Sequence, residues 1–316
     1  MNKKIIALIA IIVIIIVGVG AYFAFNGSSS SSDTVTIGYL PSDHDAAVLI
    51  ADAQGKYQKQ GLTVELKQFN NGGDLMAAMA SGDLDLGYVG ITPALSSISK
   101  GVPVKVVSAV QNEGSGIVVP INSNIKSIAD LKGKKVATPG ASSIQYMLLA
   151  FALKKNGLTM DDVSVSDLKV AQLVDSIRTN QLDAIVPYEP YVTQSVEEGI
   201  GKEIASSDDI LPDHPCCVVV AREDYINNHL EDLKKILTIH KETTDQIIAN
   251  PEAAANELPS DIFDAKVEKE ALDNVDFISG LSESYMNNVL KFQGIELGLG
   301  LIDKALTKDQ IFKVIE

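Results

Sequence analysis

Five short polar segments hold the residues best suited to chemistry: Pro41-Ser42-Asp43-His44-Asp45, Asn70-Asn71-Gly72-Gly73-Asp74, Gly90-Ile91-Thr92-Pro93, Gln111-Asn112-Glu113-Gly114-Ser115 and Thr138-Pro139-Gly140-Ala141-Ser142-Ser143. Each follows a β-branched run, and three of them open helices. Free N–H groups and the positive end of the dipole make a helix start an anion site without any arginine. Singly, each segment reads equally well as capping and turn chemistry, for which Gly, Asp, Ser and Thr are suited. Jointly they point to a binding edge, because every strand of the first set ends in such a segment. His44 offers an imidazole in the first of these loops. Glu189, between Pro187 and Pro190, is a helix cap or an acceptor for an amine or hydroxyl. Tyr188 and Tyr146 are core aromatics or a ligand wall.

Other chemistries find little support. Arg178 and Arg222 are the only arginines, and both sit among acidic neighbours on surface-like stretches. The net charge of −15 argues against nucleic acid, which needs a basic patch. Cys216 and Cys217 are adjacent, too close for a useful disulfide, and are expected to point to opposite faces of one strand. Without C-x-x-C or H-x-x-x-H spacing, neither a metal site nor a cofactor is expected. No nucleophile–base pair stands out, so no catalytic residue is assigned and the chain is read as a non-enzyme.

The positioning elements alternate. Strands are expected at Val35–Leu40, Leu62–Phe69, Leu84–Val89 and Val104–Val110, separated by helices at Asp45–Tyr57, Asp74–Ala80 and Thr92–Lys100. A second set in the same rhythm runs from Lys134–Thr138 to Tyr188–Glu198, and Cys216–Ala221 is a late strand followed by helices. Such alternation predicts α/β lobes, each a mainly parallel sheet flanked by helices. Residues 34–113 and 215–316 are expected to form a discontinuous first lobe and 114–214 the second, with hinges near Gln111–Ile117 and Leu211–Cys216. In open sheets of this kind ligands bind at the carboxyl ends of strands.

Ahead of this body, Lys3 and Lys4 precede an uncharged, mostly apolar run from Ile5 to Phe25. At about 1.5 Å per residue it spans about 30 Å, the thickness of a bilayer core. Residues 1–25 are expected to be a membrane anchor or a signal, the uncleaved transmembrane helix being preferred, with the lysines cytoplasmic and the folded body extracytoplasmic. Residues 26–33, with Ser28 to Ser32 consecutive, form a flexible tether.

Several stretches together resemble the nitrate/sulfonate/taurine group of ABC-importer binding proteins: IGYLPSDHDAAVLIADAQGKYQKQGLTVELKQF, NGGDLMAAMASGDLDLGYVGITPAL, IADLKGKKVATPGASS and LVDSIRTNQLDAIVPYEPY. The resemblance runs from about Val35 to Asn250 in matching order. It implies a two-lobed type II periplasmic-binding-protein fold with a cleft between the lobes. By the same resemblance the ligand contacts are Ser42, His44, Gly73, Asp74, Gly90, Thr92, Gln111, Asn112, Ser115, Ser142, Ser143 and Glu189. Tyr188 joins them, standing where the family often has a tryptophan. The implied function is extracellular capture of a small polar or anionic ligand, sulfonate-, taurine- or nitrate-like, by hinge closure. The implied partner is an ABC transporter permease served by a monomer. Relatives of this fold that act in thiamine-pyrimidine synthesis make an enzyme the alternative.

Overall fold

The computed structural model describes residues 34–315. The apolar β-branched runs become strands: β1 (Val35–Tyr39), β2 (Val64–Gln68), β3 (Leu86–Gly90) and β4 (Val104–Glu113) build one sheet. The chain then crosses to a second sheet made of β5 (Gly116–Pro120), β6 (Lys135–Thr138), β7 (Ser164–Asp167), β8 (Ala184–Ile185) and β9 (Gly201–Ser206). It returns with β10 (Pro215–Arg222) and later adds β11 (Val275–Gly280). The strand orders are β11-β4-β10-β3-β1-β2 and β7-β6-β8-β5-β9.

Both sheets are mixed, which corrects the expectation of mainly parallel ones. β1 is parallel to β2 and β3, and β6 to β7 and β8. β10 is antiparallel to β3 and β4, β11 to β4, and β5 to β8 and β9. The cause is the route of the chain. A strand re-entering a sheet at the end where its neighbour left must run backwards, so Pro215 at the start of β10 faces Asn112 at the end of β4. Burial follows the composition: the unbroken apolar run of β10 is buried from Pro215 to Ala221, and β3 is buried throughout. The single helix expected over Asp45–Tyr57 is a short 3-10 turn at Asp43–Asp45 and two helices, Ala46–Ala53 and Lys56–Lys59, parted by Gly55 at φ +64°.

The two crossings lie side by side and are tied together at Glu113 and between Ser115 and Ser207, whose N–H donates to the Ser115 carbonyl at 2.7 Å. Glu113 ends β4 with φ +61°, and Gly114 follows at φ +83°, which turns the chain toward β5. The Glu113 carboxylate accepts the backbone N–H of His214 at 3.0 Å and the Ser207 hydroxyl at 2.6 Å, both on the returning segment. From Val35 onward the body packs as one compact unit. Among the described residues no helix is long and apolar enough to cross a membrane. The expected anchor (1–25) and serine tether (26–33) lie outside the described residues.

Candidate functional site

A cavity of about 40 Å³ lies where the loops of the two sheets meet. Ser42, His44, Asp45, Asn71, Gly72 and Gly90 line it from the first sheet, with Cys216 and Cys217 of β10, and Pro139, Ser143, Ile144, Gln145 and Tyr188 from the second. Three helices begin at this wall: Gly72–Ser81, Ile91–Ser99 and Ile144–Lys155. Each first turn carries N–H groups that the helix itself cannot satisfy. Caps take some of these, Asn71 accepting from the Asp74 N–H at 2.9 Å and Ser143 from the Tyr146 N–H at 3.1 Å. Gly90 supplies no side-chain cap. No lysine or arginine is among the lining residues. Arg178 pairs with Glu198 at 2.6 Å and Arg222 with Asp224, away from the cavity.

Direct bonds join the two sides. The Ser42 hydroxyl donates to the Glu189 carbonyl at 2.9 Å, and the Tyr191 hydroxyl to the Pro41 carbonyl at 3.1 Å. The His44 ring (Nε2) is 2.9 Å from the Gly114 carbonyl oxygen. Gly73 and Ser142 face one another at the rim, so closely that a Cβ on Gly73 would lie 3.0 Å from the Ser142 Oγ.

Of the residues expected at the site, Ser42, His44, Gly90, Ser143 and Tyr188 line the cavity. The others have different work. Asp74 is exposed and accepts from the Asn71 amide at 2.9 Å. Gln111 accepts the Cys217 N–H at 2.6 Å, and Asn112 donates to Asp276 at 3.2 Å. Ser115 accepts from Gln145 at 2.9 Å. The buried Glu189 carboxylate is held by Thr193 and by Asn274 at 3.0 Å each. Sequence reasoning missed Gln145, because a glutamine inside a helical run carries no local mark.

The cysteines correct the expectation of opposite faces. Their Sγ atoms are 4.0 Å apart, and each is 3.8 Å from His44 Nδ1. The pairing of β10 with β4 shifts register on both sides of Cys217, and such a bulge re-aims a side chain. Burial pushes the Cys216 thiol up, but Cys217, His44 and His214 around it outweigh this and hold it well below the usual thiol range. Burial and the Leu40 N–H, 2.7 Å from its carboxylate, act oppositely on Asp45, and burial prevails, raising it to about 8.

Thr92 is buried beside Glu296 on the Glu283–Leu299 helix, outside the cavity wall. Burial pushes Glu296 up to about 8, against a weaker opposing pull from the Thr92 hydroxyl. Because its folded value exceeds the ordinary 4.5, stability from the protonated carboxyl is complete below pH 4.5 and is lost as pH rises through about 8. Glu296→Gln should therefore melt close to the wild type at low pH and higher than it above pH 8, by a difference on the order of 3 kcal/mol. Thermal melts across that range check this; parallel curves for the two chains would refute it.

A sequence profile of the NMT1-like family matches residues 28–258. A binding protein of Brucella abortus is 31% identical over 225 residues, covering 70% of this chain and 69% of that protein. The taurine-binding periplasmic protein of Escherichia coli is 28% identical over 234 residues, 72% of this chain and 71% of its own length. Among solved structures, the alkanesulfonate-binding protein SsuA of Xanthomonas axonopodis pv. citri, bound to MOPS, superposes with a TM-score of 0.78 at 20% identity. That match covers 88% of this chain and 98% of that one. At such identity the likeness is one of fold, two mixed sheets flanked by helices in the type II periplasmic-binding arrangement.

Proposed function

The chain belongs to the NMT1-like family, and on that footing we propose that it is the extracytoplasmic solute-binding component of an ABC importer, taking a small anion-bearing solute of the sulfonate, taurine or nitrate class. The observation that carries this reading is the convergence of three helix starts on one cavity between two sheets. Backbone dipoles there attract negative charge without a buried cation to desolvate. That is what a chain of net charge −15 needs, since its long-range field repels anions. The taurine- and alkanesulfonate-binding names of the relatives agree with it.

In the proposed cycle, 34–113 with 215–316 and 114–214 are lobes that part at the two crossings. A solute bridging the helix starts at Gly72 and Gly90 and the one after Ser143 makes its full set of contacts only when they shut. Its binding energy then shifts the open–closed equilibrium. The bonds Ser42–Glu189 and Tyr191–Pro41 latch the closed form, which a permease would sense. The apolar run Ile5–Phe25 would anchor a monomer to the membrane. Calorimetry on the full chain with taurine, short alkanesulfonates, nitrate and a hydroxymethylpyrimidine tests the assignment. One equivalent of a sulfonate or nitrate should bind and raise the melting temperature. Binding of the pyrimidine alone, or of none of these, would overturn it.

A further inference from the structure

We propose that His44, Cys216 and Cys217 form a three-ligand site for a thiophilic divalent cation, Zn²⁺ in particular, on the wall of the cavity. The donor atoms, His44 Nδ1 and the two Sγ atoms, stand 3.8, 3.8 and 4.0 Å apart. A point equidistant from all three lies about 2.2 Å from each, against typical Zn–S and Zn–N lengths of about 2.3 and 2.0–2.1 Å. All three residues are nine-tenths buried or more and border the cavity, so a fourth position is left for water or a solute atom.

The surroundings fit this use. The Nε2–H of His44 donates to the Gly114 carbonyl at 2.9 Å, which leaves the Nδ1 lone pair directed at the sulfurs, the tautomer that a metal-binding histidine needs. Gln111 clamps the Cys217 N–H at 2.6 Å and so holds the bulge that brings both thiols to one side. Beside Cys216, buried His214 is fixed through Nδ1, 3.0 Å from Glu113. Two thiolates and an imidazole select Zn²⁺ over the hard cations. Binding forms two S–Zn bonds and one N–Zn bond, and any proton carried by a thiol passes to solvent.

Cobalt titration of the reduced, chelator-stripped full chain tests the site, with Co²⁺ as an optical probe displaced by Zn²⁺. One equivalent of Co²⁺ should give thiolate-to-cobalt charge transfer and tetrahedral d–d bands, abolished by one equivalent of Zn²⁺. Cys216→Ser and Cys217→Ser should each diminish the charge-transfer band, and His44→Ala should weaken Zn²⁺ binding at least tenfold. Variants are checked by circular dichroism, and protection of the wild-type thiols from alkylation by Zn²⁺ gives a reading independent of any variant. A wild-type spectrum without charge transfer, or one unchanged in both cysteine variants, would overturn the proposal. None of these readings depends on sulfonate or nitrate binding.

Discussion

Gly114→Val should unfold the chain at a markedly lower temperature and remove solute binding altogether. Two costs coincide at this position. Its φ of +83° is open to glycine and is an outlier for a β-branched residue, a strain of roughly 1–3 kcal/mol. A Cβ there would also lie 2.4 Å from His44 Nε2 and 3.2 Å from a methyl of Val275. His44 cannot swing aside freely, being buried and tied to the Gly114 carbonyl at 2.9 Å. Overpacking of that kind costs another 1–3 kcal/mol, so about 4 kcal/mol in all. For a body of this size that lowers the melting temperature by roughly 8 °C or more. Gly133→Ala is the control: its φ is +73°, and nothing lies within 4 Å of an added Cβ. It should lose about 1 kcal/mol and bind solute as the wild type does. Equal losses in the two variants would mean that the contact with His44 contributes nothing.

What was legible in the sequence was local. VTIGYL and CCVVVA read as strands because continuous apolar, β-branched runs suit a position buried on both faces. The helix start at Ser143 was legible because serine is a favoured cap, whereas the helix expected from Asp74 begins two residues earlier, at Gly72 after the cap Asn71. What failed was set by distant partners. β5, β9 and β11 escaped notice: GKEIAS has no apolar rhythm, and VDFISG stands among helical stretches. The facing of the two thiols depends on where β10 slips against β4, which no spacing within CC encodes. The same holds for the site. Glu189 reads as a helix cap or as an acceptor for an amine or hydroxyl, and the donor that its carboxylate meets, Asn274, lies 85 positions away in sequence. His44 reached the cavity as expected, but the cysteines it meets are 172 and 173 positions distant.

Net charge and local charge also part company here, for a physical reason. An acid buried in the interior keeps its proton: burial raises Glu268 to about 8, with Glu189 nearby adding to the effect. The formal count of −15 therefore overstates the negative field inside the body, where the helix starts act.

The second large effect is expected at the other half of the same turn. Glu113→Ala should loosen both chain crossings at once. The carboxylate accepts the His214 N–H at 3.0 Å, the Ser207 hydroxyl at 2.6 Å and the His214 ring at 3.0 Å. Hydrogen bonds to a charged group contribute roughly 1.5–3 kcal/mol each, and their loss strands the buried His214 backbone N–H, while the ring Nδ1 keeps the Leu211 carbonyl at 3.1 Å. A cost of about 4 kcal/mol is expected, less than the sum because the three bonds share one anchor. Glu113→Gln retains an acceptor of the same reach and should recover part of it. The decisive measurement is hydrogen exchange. Amides at 111–117 and 206–215 should lose protection in Glu113→Ala, while the centres of β3 and β6 keep theirs, because their pairing partners are untouched. Solute affinity should fall at least tenfold, since Ser42, Ser143 and Tyr188 hold their places around the cavity only while the two sheets stay in register with each other. A uniform loss of protection across both sheets would show instead that Glu113 supports the global fold and not the turn between its halves.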